Sequence, residues 1–476
     1  MTSLMWFRDD LRLLDNRALD WANERGPVVA VVLDEPATYP ARPLGAAAGW
    51  WREVSLARLA RSLDAHGVPL LRAAGDAREL IPRLVADLDI DAVAWSRRYH
   101  KPWREVDAAV KSELQARGIK VASHPGHTLV EPWEVTNRSG KPYQVFTPFS
   151  KAARDQVRDD APLPASQLRG AGVDDIPNHA GAVGFARQPM SEPADPHWAG
   201  GLQETWAPGE DGARARLESF LEGIAGYESS RDQPAEEATS RLSPHLRFGE
   251  VSPRQVWAAV GELLATDQAP AGDGQKFLTE LLWRDFAWHR LYYLPELHAV
   301  NVRRQFDSFA WSSAEEEPEI IAAWKAGTTG IGLVDAGMRE LWQTGYMHNR
   351  VRMVVGSFLT KNLGLHWRAG EAWFWDTLVD ADPASNPFGW QWIAGCGDDA
   401  APYFRIFNPV TQAARFDPHG EYVGRWVPED LTPLGPEPIV DLQESRKAAL
   451  AAYSDIKAGA NKAAAPAHQA GLPDDI

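Results

Sequence analysis

The hydrophobic period changes once along the chain, and that change restricts the fold more than any single motif does. Over residues 1–125, short apolar runs at Ser3–Phe7, Pro27–Leu33, Val68–Arg72, Ala92–Trp95 and Lys120–Ala122 alternate with helical patterns such as Trp50–His66. This is the pattern of parallel strands joined by crossover helices. No Gly-x-Gly-x-x-Gly follows the first run, so the dinucleotide fingerprint is missing and a ligand here is expected at the carboxyl ends of the strands. From about 125 to 210 the chain is rich in Pro, Gly and Asp, which reads as a long linker over the surface. Helical periodicity then recurs over Phe277–Leu294, Ile331–Thr344 and Met347–Leu363 without alternating strands. The organisation is therefore a Rossmann-like α/β domain at 1–130, an interdomain linker at 131–210, an all-α domain at 211–456 and an Ala/Gly/Pro tail at 457–476 that is expected to fray.

Composition removes several function classes. A chain of 476 residues exceeds one ordinary core. Its single cysteine, Cys396, excludes an internal disulfide, and no cluster of ligands suggests zinc or iron–sulfur. Charges start at Arg8 and no apolar run reaches a membrane span of roughly 18 residues, so a cytoplasmic protein with no membrane partner is expected. The net charge of −16 argues against indiscriminate nucleic-acid binding but leaves room for a local basic face, for which the arginines of the second half are candidates. The 21 tryptophans exceed ordinary packing needs, and indoles suit base stacking and electron passage.

Two stretches carry most of the chemistry. Thr239-Ser240-Arg241-Leu242-Ser243-Pro244-His245-Leu246-Arg247-Phe248-Gly249 combines hydroxyls with a helix start, which suits a diphosphate. Asp380-Ala381-Asp382-Pro383-Ala384-Ser385-Asn386-Pro387-Phe388-Gly389-Trp390-Gln391-Trp392 supplies acids, an amide and indoles. Between them, Glu280, Trp283 and Arg284 stand at i, i+3 and i+4, so a helix gathers a carboxyl, a ring and a cation on one face. Asn349 and Met353 lie one turn apart, an amide beside a soft apolar wall. A bland reading makes Trp283 and Met353 core, but a carboxylate or amide on a buried face costs about 1–3 kcal/mol unless something pairs it.

With these blocks in order, the chain resembles the cryptochrome/photolyase family along nearly its whole length, and within it the class I cyclobutane pyrimidine dimer photolyases. The resemblance rests on Trp6-Phe7-Arg8-Asp9-Asp10-Leu11-Arg12 with Asp15-Asn16, on Thr239–Pro253, on Glu280-Leu281-Leu282-Trp283-Arg284, on Met347-His348-Asn349-Arg350-Val351-Arg352-Met353, on the Asp380–Trp392 loop and on Ala400–Pro409. It implies a deoxyribodipyrimidine photo-lyase: a helical domain binding FAD, reduced and anionic when active, and ultraviolet-damaged DNA whose dimer flips into a pocket and is split by an electron from the photoexcited flavin. The family pattern assigns flavin contacts to Tyr227, Thr239, Ser240, Arg241, Leu242, Ser243, Phe277, Arg284, Arg352, Asp380, Ala381, Asp382 and Asn386, the last facing the reactive ring nitrogen. It assigns the repair pocket to Glu280, Trp283, Asn349, Met353 and Trp392, and electron delivery to Trp390, Trp367 and Trp311. DNA contacts carry over to Arg231, Glu280, Trp283, Asn349, Arg350, Arg405 and Gln412, most of the arginines gripping phosphate. Magnesium at Asp380/Asp382 is the lesser alternative, because the pattern sets Arg352 beside Asp380; no metal is expected.

Two departures stand out. Pro102-Trp103 occupies the place of the Asn-Glu pair of folate-using members, so a deazaflavin, a flavin or no antenna are all compatible, with the deazaflavin favoured over folate. Tyr346 replaces the Trp usual before Met-His-Asn-Arg. A signalling cryptochrome is opposed by Asn386, where plant receptors carry an acid and animal ones a cysteine, and a (6-4) photolyase by the lack of histidines at 349 and 353. One site within one chain favours a monomer.

Overall fold

The structure is a computed structural model that describes residues 1–464 except 159, 165, 172–183, 194–196, 401–403 and 429–436. The Ala401-Pro402-Tyr403 part of the last family block and residues 465–476 of the expected tail thus lie outside the described residues.

Apolar runs near the amino terminus form a sheet of β1 (Thr2–Phe7), β2 (Val28–Asp34), β3 (Leu70–Ala74), β4 (Ile90–Ser96), β5 (Lys120–His124) and β6 (Ala186–Arg187), ordered β5-β4-β1-β2-β3-β6. The first five strands pair in parallel and β6 pairs antiparallel with β3. β1 and β2 are buried on both faces, which explains why they read as continuous apolar runs. β1 lies between β2 and β4, so the chain reverses its winding direction there. At such a switch point the strand ends splay and open a crevice. A cleft of about 470 Å³ lies there, lined by Arg8 and Asp9 after β1, Asp34 at the end of β2 with Glu35 after it, and Arg97 and Arg98 after β4.

The second half is helical among the described residues and has two cores. One surrounds the helix Ala271–Tyr293; the other lies among Gly332–Thr344, Asn349–Ser357 and Trp367–Thr377. Two sequence expectations are corrected. The segment 131–210 is more than a surface linker: the helix Phe146–Arg154 buries Phe146 and Phe149 in the first helical core, and β6 closes the sheet edge. The last helix runs Leu442–Ala464, past the boundary expected at 456, because Ala-rich sequence with few Gly is a good helix former.

The loop after β1 clasps the helical half. Arg12, fully buried, donates to the carbonyls of Gly249 (2.9 Å), Asp15 (3.0 Å) and Gly126 (3.2 Å). Leu11 N donates to Phe248 O at 3.0 Å, and Trp51 Nε1 to Glu250 at 2.9 Å. Gly249 has φ +64°, and a Cβ there would overlap the Asp9 carbonyl oxygen. Gly249→Ala is accordingly expected to cost at least about 2 kcal/mol and to lower the thermal midpoint; an unchanged midpoint would contradict this close approach.

On the same seam Asp285 accepts from the amides of Leu129 (2.8 Å) and Val130 (3.1 Å). Burial lifts its carboxyl to about 7, against the opposing pull of Arg284 and those amides. The folded state therefore holds this proton more tightly than an unfolded chain does, where the pKa is about 3.9. Stability should fall as pH rises from about 4 to 7 and level off above, and Asp285→Asn should flatten that part of the profile in urea titrations.

Candidate active site

The two motif stretches meet at one carboxylate. Ser243 opens the short helix Ser243–Arg247, and its Oγ donates to Asp380 at 2.6 Å; the Arg352 guanidinium meets the same carboxylate at 2.9 and 3.2 Å. Arg352 Nε also donates to Met347 O at 2.7 Å, which fixes the fork. Asp382 accepts from the amides of Ala384 (2.7 Å) and Ser385 (2.5 Å), where the chain enters the helix Ser385–Ala394. Both acids of the Asp-x-Asp are thus engaged by protein donors. Among the described residues no group of three or more His, Cys, Asp or Glu is placed to hold a metal.

Asn386, on the first turn of that helix, donates Nδ2 to the carbonyl (3.1 Å) and the carboxylate (2.9 Å) of Glu371. With both amide protons spent, its Oδ1 is the group left to face outward from the half-buried side chain. Glu371 is 1 % exposed; burial raises its pKa, and the Arg42 guanidinium opposes this through contacts of 2.6 and 2.8 Å. Sequence reasoning missed both Glu371 and Arg42. A charge 329 residues from its partner leaves no local pattern, although a Glu inside the apolar helix Trp367–Thr377 was a signal that something must pair it.

Around this junction Ser243 is exposed and Thr239, Ser240 and Arg241 are half-buried, so hydroxyls and a cation are accessible beside the Asp380 carboxylate. Arg241 has φ +49° and its guanidinium lies 5.3 Å from the Tyr346 ring, with Arg352 at 5.4 Å from the same ring. Tyr346 packs where a Trp was expected, 5.8 Å from Trp206. Leu242, Ala381, Phe277 and Tyr227 are buried, the last two 5.4 Å apart edge to face.

The rim differs from expectation in four details. Glu280 is paired with Arg231 and, at 3.2 Å, with Lys276, so its carboxylate needs no base edge to explain it. Asn349 starts its helix and is exposed rather than on a buried face. Trp283 has one face covered by Phe146 at 3.6 Å and 7°. Arg284 donates to His127 O (2.5 Å), His127 Nε2 (2.9 Å) and Leu246 O (3.1 Å), so protein acceptors on the seam engage its guanidinium. Met353 and Trp392 are half-buried. Arg350 pairs with Asp232 at 2.5 Å, Arg405 is exposed with its guanidinium 5.8 Å from the Trp392 ring, and the buried Gln412 Oε1 has no partner.

Trp390 is buried against Gly370, where a Cβ would overlap its ring, and Gly370 lies one turn beyond Trp367 on one helix. Trp367 Nε1 donates to Asn301 at 2.8 Å. Trp311 is half-buried and donates to Thr360 O at 2.9 Å. His366 bridges the last two, 5.7 Å from Trp367 and 4.9 Å from Trp311.

Residues 3–167 match the family model described as DNA photolyase, and residues 277–432 that of the FAD binding domain of DNA photolyase. The chain is 42 % identical over 490 residues to a deoxyribodipyrimidine photo-lyase of Agrobacterium fabrum, covering 95 % of this chain and 98 % of that one. Its fold is similar to that of a bacterial class III photolyase from Agrobacterium tumefaciens, with TM-score 0.86, 41 % identity and coverage of 96 % and 98 %. It is also similar to an archaeal photolyase from Sulfolobus tokodaii solved with two FAD molecules, with TM-score 0.74, 28 % identity and coverage of 96 % and 100 %. No helix among the described residues is long and apolar enough to cross a membrane.

Removing Arg352 would strand the Asp380 carboxylate, which is 9 % exposed as a residue. Arg352→Ala is expected to cost about 3–5 kcal/mol in urea unfolding, and Arg352→Lys less, since an ammonium keeps the opposite charge although it cannot hold both oxygens.

Proposed function

The chain belongs to the DNA photolyase family, and on that premise we propose that it is a deoxyribodipyrimidine photo-lyase that repairs cyclobutane pyrimidine dimers in ultraviolet-damaged DNA using light and FAD. The observation that carries the reading is the junction Ser243–Asp380–Arg352, which joins two stretches 137 residues apart. The accessible hydroxyls, the paired cation and the outward Asn386 Oδ1 are a donor and acceptor set suited to a flavin and its phosphates. Bound FAD supplies the light absorption and one-electron chemistry.

The protein's own residues bind, orient and exclude water. Asn386 offers a neutral acceptor at a fixed angle because Glu371 holds its amide. Arg352 neutralises Asp380 and keeps it from repelling an anionic ring. Trp367, His366 and Trp311 give a line of aromatic groups from the core to a half-buried edge, and Trp390 packs on Gly370 of the helix that Trp367 begins. Arg231, Arg350, Arg405 and Gln412 would contact DNA, most of them at phosphates, with Glu280, Trp283, Asn349, Met353 and Trp392 forming the lesion pocket. The strand-end cleft, rimmed by Arg42, Arg98 and Trp103, is the site we assign to a second chromophore, with a deazaflavin as the favoured class. Action in the cytoplasm as a monomer, without metal, completes the proposal; the residues of the site all come from one chain.

The test is anaerobic recovery of thymine absorbance when the reduced holoprotein and a dimer-containing oligonucleotide receive blue light, against a dark control. Light-only recovery is expected; none, with FAD bound, would overturn the repair reading. Trp390→Phe should abolish photoreduction of the oxidised protein yet leave repair intact after chemical reduction, and loss of both would count against its role.

A further inference from the structure

The helix Asn349–Ser357 continues without a break into a π-helical turn, Phe358–Asn362. Such turns redirect a side chain that an α-helix would leave elsewhere. The side chain concerned here is Lys361, an ammonium 3 % exposed inside the second helical core. Burial draws its pKa down to about 7, a cost that an apolar residue would not carry. Nothing in the repair chemistry uses this lysine.

Its three donors have three partners. Nζ donates to the carbonyl of Ile393 at 2.6 Å and to the carbonyl of Arg405, and it lies 4.7 Å from the centre of the Phe404 ring. Ile393 is in the last turn of the helix that carries Asn386, Trp390 and Trp392, where a cation complements the carbonyl end of the dipole. Arg405 belongs to the strap 404–407, which is neither helix nor strand and so has no regular ladder of its own. The helix Asn349–Ser357, which leads into Lys361, holds the strap a second time, through Ser357 Oγ accepting from Phe407 N at 3.0 Å. Phe404 closes the arrangement by stacking on Tyr453 at 4.5 Å and 5°. One helix therefore presents Arg350 at its start and fixes Arg405 from its end.

We propose that Lys361 is a positioning residue for DNA binding: by clamping the strap backbone to the end of the helix Ser385–Ala394, it sets the Arg405 guanidinium over Trp392 at the rim of the lesion pocket. This rests on the repair reading above. A residue that acts through Arg405 must show its effect in affinity, and the effect must vanish when Arg405 is already gone.

The experiment measures the Kd for a dimer-containing oligonucleotide and the repair rate at saturating DNA, in reduced holoprotein carrying Lys361→Met, Arg405→Ala, or both. Lys361→Met is expected to weaken binding roughly ten-fold while the saturated rate and the bound-flavin spectrum stay at wild-type values. Arg405→Ala should weaken binding alone and add little to Lys361→Met. Should Lys361→Met fail to fold, Ser357→Ala paired with Arg405→Ala gives the same cycle with a smaller effect. Wild-type affinity in the clamp variants, or full additivity of the double variant, would overturn the proposal while leaving repair standing. A wild-type protein that neither binds nor repairs the dimer would overturn the repair reading, and this inference with it.

Discussion

A buried guanidinium, that of Arg247, fixes the relation between the sheet domain and the candidate active site. Its Nη1 meets Asp9, in the loop after β1, at 2.8 Å, and its Nε donates to Ala381 O at 3.1 Å. An arginine 6 % exposed cannot be left unpaired without a penalty of several kcal/mol, so both partners are held at the length of one side chain. Arg247 ends the five-residue helix that Ser243 begins, and Ser243 holds Asp380. The Asp380–Asp382 loop is thus gripped from both ends of one helical turn. Asp9 feels burial pushing its carboxyl up, but the Arg247 charge and hydrogen bond, with other nearby cations, bring it below the ordinary range.

The same economy appears across the cleft. Arg42 lines it, stacks 4.1 Å from the Trp375 ring and pairs with Glu371, whose other contacts orient the Asn386 amide. Pro383, beside Asp382, also lines the cleft. The wall of the strand-end crevice is therefore the back of the candidate active site. Trp51, buried at the seam, reinforces this contact through edge-to-face packing on Trp206 at 5.4 Å and on His245 at 5.0 Å.

Most elements were legible because their period was strong. All five parallel strands fall within a few residues of their apolar runs, and the helices Ala271–Tyr293 and Gly332–Thr344 follow theirs. The helix Phe146–Arg154 was not legible: Phe146 and Phe149 sit among Pro, Lys and Ser, and their burial depends on meeting Trp283 and Phe286, more than a hundred residues away. Arg284 shows a different limit. Its spacing from Glu280 and Trp283 is right for a shared face, but its guanidinium is engaged by the carbonyls of His127 and Leu246, which no local pattern foretells.

By itself the sequence determined the class of each half and the residue types of the site, because these follow from hydrophobic period, from turn chemistry and from motifs that are contiguous in the chain. Only the tertiary structure decided which acid meets which cation. Glu371 with Arg42, Asp380 with Arg352, Asp9 with Arg247 and Glu280 with Arg231 are all distant in sequence. A buried charge selects its partner by distance and desolvation, and neither exists until the chain is packed.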